Sequence, residues 1–489
     1  MKKWPNKWLL TAVKGLTFLT SAGLLPAGCK MGPDYQRPAT LADTGTYSHT
    51  DQINLDPNAL AEMEPWWLNF GDPVTSQLVQ IALDNNLDLK VSAARVLESE
   101  ALLAQAWGQR LPQVSYGANR DRSKFYFNSP FGRMSFLSTT WGQQLSISYV
   151  TDIFGKLRRA EEAAWRGVLA TQADRQTMVH AVIASVVRTR IQIATQQRHL
   201  EIARATTASW RDSLAILERR YEQGLIDSLD IHIARENLAA SQATENVLEQ
   251  TLMITFNALN VLLGQRPGTK VILAETLAVL PDLEAPPVGV PANLLDRRPD
   301  IISAEMLLAA STARVGVSIA QLYPDLTLGG NYGFRGPTFE DLFIDETEVY
   351  GLVMQLVQPI FMGGQLQAQV EASRAKMEQA AGNYAGTVLK AFREVEDTLV
   401  REKYMWQRLT LLEERFKQAQ IAEQLAQERY QKGLQGILIV LETERRRRIT
   451  ENELALAKGD LWTNRVDMFL ALGGDWGEAV DPENDVKHY

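Results

Sequence analysis

Two patterns of apolar and polar positions run along this chain, and each occurs twice. The first has a period of two. Trp141, Gln143, Leu145, Ile147 and Tyr149 alternate with Gly142, Gln144, Ser146 and Ser148, while Val114, Tyr116 and Ala118 do the same across a polar loop around Asn128 to Arg133. Further on, Leu326, Leu328, Gly330, Tyr332 and Phe334 alternate with Thr327, Gly329, Asn331, Gly333 and Arg335, and Tyr350, Leu352, Met354 and Leu356 form a returning strand. The spacing predicts two hairpins, over 113–151 and 325–358, with strands of about ten residues. One face of each is apolar and aromatic and the other small and polar, as in strands with lipid outside and water inside. Four strands cannot close a barrel, and lipid does not tolerate an open edge. Strands that span a membrane therefore require several copies of the chain, and three would supply an even total of about twelve.

The second pattern is helical. It begins over Val74 to Arg110, where Leu78, Ile81, Ala82 and Leu89 recur at helical spacing up to Pro112. No proline stands between Pro130 and Pro267, nor between Pro359 and Pro482, and both stretches are rich in Ala, Leu, Glu, Gln and Arg. Each holds two long helices, broken only near Gly224 or Gly433. A helix over Leu157 to Gln223 would run about 100 Å. Leu454, Leu461 and Met468 fall at heptad spacing, and Val247, Thr251, Ile254, Ala258 and Val261 step four, three, four, three. A stripe this rich in small residues fits a helix touched on two sides in a cylinder wall better than a two-stranded zipper. Residues 29–73 read as an extended arm and the proline-rich 265–291 as a linker, with a short strand candidate at Val271 to Leu273. Residues 474–489 form a tail.

The two patterns return together because the chain is duplicated. Arg220-Tyr221-Glu222-Gln223-Gly224-Leu225 recurs about two hundred and ten residues later as Arg429-Tyr430-Gln431-Lys432-Gly433-Leu434. Leu111-Pro112 is echoed by Tyr323-Pro324, and Ile153-Phe154-Gly155 by Ile360-Phe361-Met362-Gly363. The repeats cover 74–264 and 292–473. A period this long marks a duplicated half-molecule and suggests pseudo-symmetric staves of a ring. The copies diverge most just after the glycine turns, at Ile226 to Ile233 against Gln435 to Glu442, which marks the place to look for a gate.

Composition removes other classes. A net charge of -8 and a pI near 5.4 argue against a nucleic-acid partner. Five scattered histidines, at 49, 180, 199, 232 and 488, lack ligand spacing, and no nucleophile, metal or paired-carboxylate constellation supports an enzyme. Beyond the N-terminus no stretch approaches the roughly 18 apolar residues of a membrane-spanning helix. Residues 1–28 have the layout of a secretory signal peptide, with Lys2, Lys3 and Lys7 before an apolar run that closes on small residues. The single cysteine, Cys29, follows Ala27-Gly28 as in a bacterial lipobox, although Pro26 stands where such motifs usually have Leu. Acylation there would explain an exported chain with one unpaired thiol, and Lys30 after it suits sorting to the outer membrane.

Gly32-Pro33-Asp34-Tyr35-Gln36-Arg37-Pro38, Trp66 to Pro73, Ala82 to Leu89 and, most specifically, Leu294-Leu295-Asp296-Arg297-Arg298-Pro299-Asp300-Ile301 resemble the TolC-like outer-membrane factors of tripartite efflux systems, in their NodT-type lipoprotein branch. The resemblance spans essentially the whole mature chain. It implies an α+β membrane protein, a homotrimer with a twelve-stranded transmembrane β-barrel, four strands from each chain, above a long α-helical barrel. It implies a passive channel rather than an enzyme, working with a periplasmic adaptor and an inner-membrane pump of the RND type. No cofactor is implied beyond N-acyl and diacylglycerol lipid on Cys29. The same resemblance puts the adaptor-contact tips at Tyr221, Gly224, Leu225, Tyr430, Gly433 and Leu434, and an entrance gate at Leu438, Glu442 and Arg445. Glu442 replaces the family's frequent aspartate. Asp227 and Asp230 would add an acidic ring favouring cations. Arg445 to Arg448 reads as a solvated or interprotomer face, with Glu442–Arg446 and Glu444–Arg448 paired along the helix. The competing reading is a lipid-anchored periplasmic coiled coil without a pore.

Overall fold

The computed structural model describes residues 29–39, 66–130, 132–269 and 296–473. The expected signal peptide, most of the linker with its strand candidate at Val271 to Leu273, and the C-terminal tail lie outside the described residues. The elements in chain order are α1 (Pro73–Asn85), α2 (Leu87–Gly108), β1 (Gln113–Ser129), β2 (Gly132–Thr151), α3 (Lys156–Glu222), α4 (Ser228–Leu262), α5 (Pro299–Ala320), β3 (Asp325–Gly336), β4 (Glu348–Val357), α6 (Gln365–Gln431) and α7 (Ile437–Ala471). The duplication is visible in the lengths: α3 and α6 each have 67 residues, and α4 and α7 each have 35. At about 1.5 Å per residue, α3 and α6 each run about 100 Å.

The chain divides into two compact units, one holding the strands with the flanking helix ends and the N-terminal arm, the other holding most of the helices. In the first unit the strands form one antiparallel sheet in the order β1-β2-β3-β4. Its register carries Val114, Ile147, Gly330 and Leu352 in one row and Tyr116, Leu145, Tyr332 and Tyr350 in the next. Ser115, Ser146, Asn331 and Gly351 make a row on the other face. In these rows the predicted alternation runs across all four strands, apolar on one face and small and polar on the other, although Val349, Val353 and Val357 of β4 add apolar positions to the second face. The first hairpin is longer than expected, with 17 and 20 residues in β1 and β2. Its outer half continues past the last β2–β3 pair, Trp141 with Gly336, and there Arg120, Arg122 and Lys124 replace the apolar signal that marked the lower half.

The arm is seated in this unit by a buried cation. Arg159 donates to the carbonyl oxygens of Met31 at 2.9 Å and Gly32 at 3.0 Å, and pairs with Asp34 at 2.9 Å and Glu162 at 2.9 Å. Gly32 is required here: its φ is +85°, and a Cβ would lie 2.5 Å from the Cα of Gly316. Burial alone would raise the Glu162 pKa, but hydrogen bonds from Lys30 and Arg159 outweigh it and hold the carboxyl below its ordinary value.

The second unit is built around Trp66, stacked on Phe469 at 5.3 Å, with Leu78, Val182, Ile183, Leu259 and Val466 beside it. The single helix expected over Val74 to Arg110 is broken at Asn86, whose side chain makes three hydrogen bonds to two chain segments. Its carbonyl oxygen accepts from the amides of Asp88 at 2.9 Å and Leu89 at 3.2 Å, capping α2, and its amide donates to the Leu262 carbonyl at 2.8 Å. Arg465 and Glu402, 3% and 5% exposed, pair at 2.9 Å, with Trp406 and Asn464 also donating to Glu402.

One further expectation is corrected. Pro299–Ala320 is long and apolar enough to cross a membrane, contrary to the reading that no such stretch exists, but 72% of its apolar window is buried inside the chain. The stripe Val247, Thr251, Ile254, Ala258 and Val261, read above as part of a cylinder wall, is exposed at all five residues in the single chain. Leu454, Leu461 and Met468 of the other stripe are half-buried or buried.

Candidate functional site at the helix turns

Both long helices end in the same way. The Leu225 amide reaches the Arg220 carbonyl at 2.9 Å, and the Gly224 amide the Tyr221 carbonyl at 2.9 Å. Leu434 to Arg429 and Gly433 to Tyr430 repeat this pair of bonds at 2.9 Å each. These are Schellman caps, which need a left-handed residue; Gly224 and Gly433 supply it with φ of 72° and 70°. The residue after each glycine is thereby turned outward, and Leu225 and Leu434 are 67% and 74% exposed. Tyr221 is exposed as well, whereas Tyr430 is half-buried. Arg220 explains the difference, since its guanidinium donates to the Tyr430 hydroxyl at 3.1 Å and joins the two turns.

Beyond the turns the copies separate. In the first, Asp227 occupies the N-cap position of α4 without a side-chain cap bond and Asp230 lies in its first turn, where the helix dipole favours negative charge. Neither forms an ion pair among the described residues. In the second, Leu438 is exposed on the first turn of α7 and Glu442 follows one turn later. Arg445 makes a bidentate contact with Glu442, 2.9 Å at each nitrogen, and Arg446 adds a bond of 2.7 Å. These hydrogen bonds, Arg445 first and then Arg446, hold the Glu442 carboxyl down to about 2. Leu438, Glu442 and Arg445 thus lie together on α7, while Asp227 and Asp230 stand apart on α4.

The arginine run is only half solvated, which corrects the sequence reading. Glu442–Arg446 at 2.7 Å and Glu444–Arg448 at 2.6 Å pair as expected. Arg447 and Arg448 are half-buried, however, and Arg447 grips Glu423 of α6 and Glu451 of its own helix. Glu444 also accepts from Ser209 of α3 at 2.7 Å. Only Arg445 and Arg446 remain on an exposed face.

A residue the sequence named without a role also finds one. Arg298 lines a cavity of about 370 Å³ in the second unit, together with Arg188, Asp300, Glu394 and Asp467. It donates to the Ala471 carbonyl at 3.1 Å and pairs with Asp300 at 2.7 Å and Glu394 at 2.8 Å. Burial works against its charge, but Asp300 and Glu394 outweigh it and raise its pKa. The Arg-Arg-Pro-Asp motif therefore fastens the end of α7. Only the partners' positions in the fold reveal this.

A one-faced four-stranded sheet joined to duplicated 67- and 35-residue helices defines a class, the outer-membrane channel with a β-barrel and a helical barrel. The chain belongs to the outer membrane efflux protein family, whose model matches residues 78–265 and 290–474. It is 33% identical over 423 residues to the pyoverdine export outer membrane protein OpmQ of Pseudomonas putida, covering 84% of this chain and 88% of that one. It is 29% identical over 457 residues to the toluene efflux pump outer membrane protein TtgF of Pseudomonas putida, covering 92% and 95%. The solved outer-membrane channel OprN superposes with a TM-score of 0.83 at 29% identity, over 92% of this chain and 100% of that one. The chain is thus the outer-membrane channel component of an efflux pump, located in the outer membrane. Its family consists of channels rather than enzymes, and the poreless coiled-coil alternative falls with that membership.

Proposed function

We propose that three copies of this chain form a passive export duct, with a twelve-stranded barrel in the outer membrane and a helical barrel reaching into the periplasm. The observation that carries this reading is the sheet itself. It has one apolar face and two unpaired edges, β1 and β4, which run in opposite directions. A second copy added at either edge continues the antiparallel order, and only closure removes open edges from lipid. The uncovered stripe from Val247 to Val261 on α4 supplies a matching helical contact.

In this reading the turns bearing Tyr221, Gly224, Leu225, Tyr430, Gly433 and Leu434 meet a periplasmic adaptor, through which an inner-membrane pump of the RND type drives export. The exposed leucines support that role, because a solvated apolar side chain at a fixed turn is a ready anchor for a partner. Leu438, Glu442 and Arg445 form the entrance gate, with Asp227 and Asp230 biasing it towards cations. Cys29, exposed beside the Arg159 seat, carries N-acyl and diacylglycerol lipid. Substrates are small molecules of the kind handled by the relatives named for pyoverdine export and toluene efflux.

Heat-resistant trimers on denaturing gels and single-channel conductance in planar bilayers test the duct. Both are expected, and absence of both overturns it. Cys29→Ser is expected to abolish labelling by radioactive palmitate; retained label would exclude the anchor.

A further inference from the structure

The two open edges of the sheet carry opposite charges at the same end. On β1, Val114, Tyr116, Ala118, Arg120, Arg122 and Lys124 occupy alternate positions and so share one face. The lower three are apolar or small and the upper three are cations. Arg120 lies 5.0 Å from the centroid of the Trp141 ring, and Lys124 lies 5.2 Å from that of Tyr126. On β4, Glu348, Tyr350, Leu352, Met354 and Leu356 share the same face of the sheet, since Tyr350 stands in the row of Tyr332, Leu145 and Tyr116. That apolar run ends at Glu348, and Glu346 precedes it. Among the described residues, Arg122, Lys124, Glu346 and Glu348 make no ion pair within the chain, and both glutamates are exposed.

We propose that Arg122 and Lys124 of one copy pair with Glu346 and Glu348 of the next, as a latch that sets the register of the seam between chains. The proposal rests on the trimeric reading above. Three features meet in it. The seam joins β1 to β4 in antiparallel order, so both charged ends lie at the same rim. Barrel strands tilt, which staggers neighbours along their length. β1 has 17 residues against 10 in β4, and its surplus lies at the charged end, where a stagger brings Arg122 and Lys124 alongside the acids. Rim ion pairs add little affinity, but they select a partner and an alignment because the wrong alignment juxtaposes like charges. A one-residue slip would also turn the apolar face inward. No hairpin turn fixes register at the seam, and unlike β2 and β3 its two strands do not even share a chain, so a charge pattern is most useful there.

The test uses the full-length, membrane-inserted protein extracted in mild detergent. Arg122→Glu with Lys124→Glu is expected to speed dissociation of the heat-resistant trimer by roughly tenfold or more. Glu346→Lys with Glu348→Lys should do the same from the other edge. All four changes in one chain restore the opposite-charge pairing and should bring dissociation back to about the wild-type rate. Molar salt should shrink the differences among the variants. Unchanged dissociation in either double variant overturns the latch. So does failure of the fourfold variant to recover, the outcome expected if the cations bind lipid phosphates instead. A wild-type protein that never migrates as a trimer sinks the trimeric reading itself, which distinguishes the two failures.

Discussion

Glu442 shows how one substitution shapes a site. Its longer arm lets a single carboxylate accept from both Arg445 and Arg446, and this double contact keeps it ionised far into acid. The sign follows from linkage. A carboxyl held below its ordinary 4.5 contributes stability fully above that value, and the contribution is lost as pH falls through about 2. If the pair latches the entrance, Glu442→Ala with Arg445→Ala raises resting conductance at neutral pH. Glu442→Gln should differ from the wild type from pH 7 down to about pH 4, and the two should converge only as pH approaches 2. Single-channel recording across that range checks both statements, and equal conductance throughout removes the gate from these residues. Arg445 is exposed enough that solvent screens the pair. The predicted effect is therefore on the open and closed populations, with little change in global stability.

At the scale of elements, the glycine turns give a sharper experiment than any helix interior. A Cβ added at Gly224 or Gly433 meets nothing within 4 Å. Replacement there tests backbone conformation without a steric clash. Gly433→Ala should cost about 1 kcal/mol at the turn and reduce co-purification of the cognate adaptor, with trimer yield unchanged. Gly433→Asn, which tolerates the left-handed region, should retain more binding than Ala; equal loss in both would detach the backbone turn from adaptor docking. These turns were legible in the sequence because one residue type meets a local backbone demand and the duplication repeats it. The hairpins were legible for a similar reason, since period-two alternation is local. Their true length was not, because Arg120, Arg122 and Lys124 continue β1 without an apolar signal. The break at Asn86 escaped for another reason: its amide partner, the Leu262 carbonyl, lies 176 positions away. The buried Arg159 and Arg298 were hidden in the same way, each defined by chain segments that meet only in the fold.

On the trimeric reading a single chain is an incomplete object, and the positions where it would be incomplete can be tested. Val247, Thr251, Ile254, Ala258 and Val261 have the step pattern of a packed seam but lie open to solvent. Leu252, Thr255 and Leu259 of the same helix point into the chain and are buried. One helix thus has two packing faces, and the chain alone covers only one of them. A polar change on the uncovered face should cost a lone chain almost nothing, because surface substitutions usually fall within about 0.5 kcal/mol. In an assembled wall it buries an unpaired charge, which costs several times as much. Ile254→Asp is therefore expected to abolish heat-resistant trimers while preserving the far-ultraviolet helical signal of the chain. Leu259→Asp, on the covered face, should lose both. If Ile254→Asp still yields full trimers, the stripe does not face a neighbour and closure must rest on the sheet edges alone. If trimers vanish with helicity intact, the apolar stripe on α4 faces a neighbouring chain. The duplication then explains why such a contact repeats around the ring, since each chain contributes two near-equivalent staves to the wall.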